Sequence, residues 1–118
     1  MRAYEYGRES EAMAEKFLRR EKHRIVARNY RAHHGEIDII STKPGKKLIF
    51  TEVRSKHSTA YGHPIETIDQ KKRAHILQAA EQFVYENKRY SEYECHFDVI
   101  TVVGEGKNAQ LEYFPDAF

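Results

Sequence analysis

The sequence holds a single cysteine, Cys95, among its 118 residues, which excludes a disulfide within the chain. It has no C-x-x-C and no H-E-x-x-H, and its seven histidines lack ligand spacing, so scattered surface imidazoles are expected rather than a zinc box. No stretch approaches the roughly 18 apolar residues of a membrane span, and the opening MRAYEYGRESEAMAEKF is too charged for the apolar core of a signal peptide. These absences lead to the expectation of a cytoplasmic protein with no membrane partner. Internal repeats, low-complexity tracts and linkers are also lacking. At roughly 100 to 200 residues per domain, residues 1–118 read as one domain with one small core.

What is there is charge. Asp, Glu, Lys and Arg make up 32% of the chain against 40% hydrophobic residues, with a mean hydropathy of −0.81. Such a chain is polar but still apolar enough to fold. The net charge of +2 conceals a division: residues 1–90 carry 19 of the 20 Lys and Arg but only 12 of the 18 Asp and Glu. A basic body followed by an acidic tail suits a phosphate-binding surface, and a solvated mixed-charge surface explains it as well.

Periodicity predicts a helix over 4–21, with Met13 and Phe17 four apart and Ala14 and Leu18 four apart. At 100° per residue Glu11 falls within about 20° of Leu18 on the wheel, so a carboxylate without an evident partner lies at the apolar edge. Strands are expected over 24–31 and 34–41, the second joined through the turn signal KPGK to a third over 47–55. Residues 56–68 read as a loop. Asp69 then caps a helix whose core face is Ile76, Leu77, Ala80, Phe83 and Val84, ending near Asn87. CHFDVITVV (95–103) is a strand, and GEGKN turns it into a short QLEYF strand. The order αβββαββ is that of an α/β (α+β) fold.

Alternation places Ile37 and Ile39 on one face of their strand and Glu36, Asp38 and Ile40 on the other. On the next strand Glu52 and Arg54 follow Leu48 and Phe50, two large apolar residues that mark that side as core. If the hairpin closes around Pro44-Gly45-Lys46, residue 43 pairs with 47 and Asp38 stands opposite Glu52, with Cβ atoms about 4.5 to 5.5 Å apart. Two partly buried like charges in that position need a proton or a cation between them. Mg²⁺ accepts one or two carboxylates and keeps several waters, so it would answer the need. An exposed sheet face with a plain Glu52–Arg54 ion pair is the alternative. Asp98, on a face with Ile100 and Val102, is expected to hold a structural hydrogen bond, and His33-His34 an exposed loop.

Asp38 followed by the E-x-R of Glu52 and Arg54 resembles the D...(D/E)xK signature of restriction-endonuclease-like nucleases. More specifically, the chain resembles the YraN-like family of small bacterial predicted endonucleases, distantly similar to archaeal Holliday junction resolvases. GRESEAMAEKFL, ARNYRAHHGEIDII, LIFTEVRSKHSTAYGHP, the Lys71 helix, HFDVIT and the terminal DAF stand in family order. The resemblance implies one PD-(D/E)xK nuclease-like domain, a mixed sheet of about five strands flanked by helices, with its site where the central strands diverge. It implies Asp38 and Glu52 as ligands of Mg²⁺ or Mn²⁺, with Glu11 as a third acidic ligand and Arg54 as the fourth catalytic residue. Arg54 departs from the signature's lysine: it can stabilise developing negative charge, but a guanidinium does not give up its proton and so is no base. Lys56 is a substitute of the same strand parity.

Arg28, Arg31, Lys56, Lys71, Lys72 and Arg73 are expected to contact backbone phosphate, which gives affinity without sequence preference. Tyr61, Gly62, His63 and Pro64 form a loop beside the expected substrate. The function expected is a Mg²⁺-dependent endonuclease on DNA, branched or recombination DNA included. The alternative is a non-catalytic nucleic-acid-binding module that keeps the nuclease fold. Nucleic acid, DNA before RNA, is the expected partner, with a homodimer as one of two assembly states.

Overall fold

A computed structural model describes residues 3–60 and 62–118, with side chains from Gly7 onward. Helix α1 (Ala3–Arg20) buries Ser10, Ala14 and Leu18, four residues apart and so on one stripe. It stops because Lys22 takes a left-handed backbone (φ 69°). That conformation lets the Lys22 and His23 amides donate to the Arg19 and Leu18 carbonyls, at 3.1 and 2.9 Å, closing the helix end and turning the chain into the sheet.

Strands β1 (Arg24–Arg31), β2 (Glu36–Lys43), β3 (Lys47–Lys56), β4 (Glu94–Val103) and β5 (Gln110–Phe114) pair in chain order into one sheet. All neighbours are antiparallel except β3 and β4. A parallel pair needs a crossover, and α2 (Gln70–Glu86) supplies it. Single 3₁₀ turns at Pro64–Thr67, Lys88–Tyr90 and Gly106–Asn108 lie in the connections. The sequence order αβββαββ is therefore the observed one, with most element ends within two residues of expectation.

The sheet separates two apolar clusters. Ala14, Leu18, Ile39, Ile100 and Val102 pack on the α1 side, whereas Ile37, Ile40, Leu48, Phe50, Ile76 and Phe83 pack on the α2 side. Two expectations need correction here. Leu77 is 41% exposed, not core: the stripe that meets the sheet runs through Ile76, Ala79, Ala80 and Phe83, and Leu77 falls on its flank. Ile37 and Ile39 do not share a face either, since they belong to opposite clusters. The cause is local. Asn29 on β1 takes a left-handed backbone (φ 50°), the rung it would make with Asp38 is missing between Tyr30–Ile37 and Arg28–Ile39, and simple alternation fails at Asp38, while the β1–β2 register itself shifts only between Ile25 and Ala27.

Gly35, ahead of β2, sits so close to α2 that a Cβ there would come within 2.7 Å of the His75 carbonyl oxygen. That close approach requires glycine and brings the start of β2 against the start of α2. The Asp69 carboxylate caps α2, accepting from the Lys72 amide at 2.9 Å, and so fixes which side chain of the first turn faces the sheet.

Candidate functional site

The β2–β3 ladder follows the expected register from Lys43–Lys47 to Ile39–Thr51 and then ends. The next rung would have been Asp38 with Glu52. Instead the Asp38 side chain takes over from the backbone: its Oδ2 accepts from the Val53 amide at 2.7 Å, holding the carboxylate in the opening between the strands. Glu52, on the Leu48–Phe50 side of β3, is 4% exposed. The Asp38 carboxyl stands beside that of Glu52, a neighbour that favours the protonated form of Asp38. Burial, then the Glu52 hydrogen bond and charge, push Asp38 up to about 8; the Val53 amide and Lys72 oppose this only in part.

Glu52 has two cationic partners on one oxygen. Arg54 Nη2 lies 3.2 Å and Lys72 Nζ 3.3 Å from its Oε2. The ion pair expected for Glu52 and Arg54 therefore exists, although on a buried carboxylate and not on an exposed face. Arg54 Nε is buried with no hydrogen-bond partner, so the guanidinium is only half satisfied where it stands. Lys72 was expected to contact substrate rather than the site, with Lys71 as the matching family position. The structure puts Lys72 on Glu52 and leaves Lys71 exposed. The signal was the cap at Asp69, which sets the phase of the helix.

On the α1 side, Asp38 lines a hollow of about 210 Å³ with Arg8, Glu11, Glu15, Arg28 and Asn29. Glu11 reaches it as the wheel suggested. Its pKa is raised, by burial first and then by the Asp38 charge, while a hydrogen bond from the Asn29 side chain works the other way. Asn29 was not foreseen; a polar residue with left-handed tendency in the middle of a strand was the available cue. Arg28 is tied to Glu15 through Nε at 2.6 Å and through Nη2. Arg19 also reaches Glu15, at 2.9 Å, and together these arginines lower the Glu15 pKa to about 2.

The other basic residues are spread more widely. Arg31 is exposed. Lys56 Nζ points at the Gly62 carbonyl oxygen, 3.4 Å away, and Arg73 lies over the Phe118 ring at 5.5 Å. Of the loop expected beside the substrate, Tyr61 lies outside the described residues, and His63 bonds Glu112 at 2.9 Å. His33 and His34 are exposed, as expected. Asp98 is buried with complete local partners: the Tyr113 hydroxyl donates to Oδ2 and the Asp116 amide to Oδ1.

The donor set suits a hard divalent cation in one respect and falls short in another. Asp38 and Glu52 offer two adjacent carboxylates, one fixed by the Val53 amide and the other by Arg54 and Lys72, and Mg²⁺ or Mn²⁺ needs no more than one or two from the protein. Among the described residues, no three acidic, imidazole or thiol side chains converge closely enough to make a complete cage. Glu11 is an electrostatic neighbour of the pair, not a member of it. Water and substrate oxygens would have to fill the remaining positions.

Comparison with known proteins gives a consistent result. The model of the uncharacterised protein family UPF0102 matches residues 10–102. The chain is similar to a UPF0102 protein of Hahella chejuensis, 40% identical over 100% of this chain and 93% of the relative. A UPF0102 protein of Persephonella marina is 41% identical, over 91% of this chain and 95% of its own. One from Caldicellulosiruptor bescii is 35% identical over the whole of both chains.

Proposed function

Since the chain belongs to the UPF0102 family, whose name states no activity, we propose from the site itself that it is a metal-dependent phosphodiesterase acting on DNA, including branched or recombination DNA. The observation that carries this reading is the placement of two carboxylates together, Asp38 held in the strand opening by the Val53 amide beside the buried Glu52. A fold that only needed to be stable would gain by replacing one of two facing carboxylates, so their retention speaks for a ligand that needs both. Asp38 and Glu52 would hold Mg²⁺ or Mn²⁺, with Glu11 beside them. Bound there, the ion would neutralise phosphate charge and lower the pKa of water.

The chain's own residues account for the rest. Asp38, fixed by the Val53 amide, and Glu52, fixed by Arg54 and Lys72, are held in place before any ligand arrives. Arg54, with its unpartnered Nε, stabilises charge developing on the phosphate but takes no proton. Lys71, Lys72 and Arg73 follow Gln70 in the first turn of α2, with Asp69 as its cap and no other acidic residue there. Cations at a helix N-terminus oppose its dipole, so an anion that approaches this end is favoured. Exposed Arg31 and Lys71 extend that surface for backbone phosphate.

A second reading has its own support: with Arg54 in the lysine position and two cations already on Glu52, a nucleic-acid-binding module without cleavage would keep the same geometry. A cleavage screen on single-stranded, duplex and four-way-junction DNA with Mg²⁺ and Mn²⁺ separates the two. Metal-dependent product that disappears in Asp38→Ala is expected. Tight binding with no product under any of these conditions would favour the binding module.

A further inference from the structure

We infer that Lys72 is the resident counter-ion of the carboxylate pair: its ammonium holds the place of a divalent cation and passes to substrate phosphate when that cation arrives. The inference rests on the cation-site reading of Asp38 and Glu52 given above and goes beyond it, because it assigns Lys72 a role that changes with occupancy.

Three observations carry it. Lys72 is on another element than the pair, yet its Nζ lies 3.3 Å from Glu52 Oε2, the same oxygen that Arg54 engages at 3.2 Å. Its side chain is 33% exposed while that of Glu52 is 5% exposed, so the stem runs from solvent into a buried site. It also sits in the first turn of α2, Gln70-Lys71-Lys72-Arg73, where the one nearby acid, Asp69, is engaged as the cap and a cation works against the helix dipole. A contact placed there against local preference is explained by what it reaches.

A dication and an ammonium on one carboxylate oxygen repel strongly in a site removed from water. One of the two cations on Glu52 must therefore yield when the ion binds. Arg54 is the poorer candidate. Its side chain is nearly as exposed as that of Lys72, at 30%, but it stands two residues from Glu52 on the same strand, and its planar guanidinium is less free to swing away than a lysine stem. Lys72 has a flexible four-carbon stem and an open route to solvent, and a displaced ammonium beside a bound phosphate finds a new partner within reach. The substrate thereby supplies the charge that the carboxylates withdraw.

The test uses the full chain and Mn²⁺ alone, with calorimetry as the readout. Lys72→Gln, and Lys72→Met as a second neutral variant that keeps the apolar stem, should bind Mn²⁺ about 10-fold more tightly than wild type, whereas Lys72→Arg should stay close to wild type. In parallel, the salt dependence of duplex DNA binding is measured with EDTA and with Ca²⁺. Wild type should gain about one phosphate contact on adding Ca²⁺, seen as a slope steeper by about 0.9, and the neutral variants should not. A lysine that merely docks α2 would lower the melting temperature in every variant and leave Mn²⁺ affinity unchanged, and that result overturns the inference. A wild type that takes up no Mn²⁺ overturns the cation-site reading itself, and the inference with it.

Discussion

Asp38 and Asp98 stand at nearly the same level of the sheet, with β3 between them: Ile39 pairs with Thr51, and Thr51 with Asp98. Their surroundings are opposite in kind. Asp98 receives a hydroxyl and a backbone amide, from Tyr113 and Asp116, and both donors lie on the segment that follows it. Asp38 receives one amide and faces a second carboxylate, which must itself be held by two cations from β3 and α2. A carboxylate whose hydrogen bonds are completed by its own neighbourhood does structural work. One that is set against another carboxylate lacks that completion, and in the function proposed above a metal ion supplies it.

The contrast is broken or sharpened first by activity. If the account is right, Asp38→Ala and Glu52→Gln lower DNA cleavage by more than about 100-fold, since loss of a ligand should exceed the 10- to 100-fold typical of residues that only support ligands. Asp98→Asn should keep cleavage within a few-fold of wild type, as followed on the same junction and duplex substrates. Equal losses from both positions would erase the distinction.

Stability should show the reverse. Asp98→Ala strands the Tyr113 hydroxyl and the Asp116 amide, so chemical denaturation should find it about 1 to 3 kcal/mol less stable. Asp38→Asn puts a neutral amide where the carboxyl must take up a proton on folding, and should be as stable as wild type, or more stable by about 1 kcal/mol, in EDTA.

The pH dependence follows in the same direction. Asp38, at about 8 in the native state against 3.8 for the free side chain, keeps a proton that the unfolded chain has lost. Its contribution is therefore complete below about pH 4 and is lost as pH rises through 8. His23 acts oppositely at lower pH: burial and Lys43 depress it from 6.5 to about 4, so stability is lost as pH falls below 6.5. His96, raised above 6.5 by Asp116 and Glu94, loses its contribution in the same direction above pH 6.5, so the Asp38 effect is read as the difference between two proteins. Melting in EDTA should show wild type losing on the order of 1 kcal/mol more than Asp38→Asn between pH 6.5 and 8. The smallest expected effect is on binding: Lys71→Gln should weaken DNA binding by removing about one phosphate contact, lowering the salt slope by about 0.9 without changing substrate preference.

How much of this was legible in the sequence depends on the range of the interactions that decide it. The β2–β3 register is set by the Pro-Gly-Lys turn beside it, and the reading that brought Asp38 to Glu52 needed nothing more distant. The α2 boundaries follow from Asp69 and Asn87, both local caps, and Glu11 reaches its hollow by helical geometry alone. What escaped were the consequences of docking. The Asn29 irregularity splits Ile37 from Ile39, Leu77 turns outward because the sheet meets α2 along a neighbouring stripe, and Lys72 reaches Glu52 across a crossover. Each depends on how one element lies on another, which spacing within an element does not encode. The parallel pairing of β3 and β4 belongs to the same class.

The most direct test of the account is a set of thermal melts of wild type and Asp38→Asn, each in EDTA and in excess Mn²⁺. A cation that binds only the folded chain raises its melting temperature by mass action. Wild type should therefore rise with Mn²⁺, Asp38→Asn should rise much less, and in EDTA the variant should melt at or above wild type. A variant clearly less stable in EDTA, beside a wild type that ignores Mn²⁺, would contradict the claim that Asp38 and Glu52 are placed to share a metal ion.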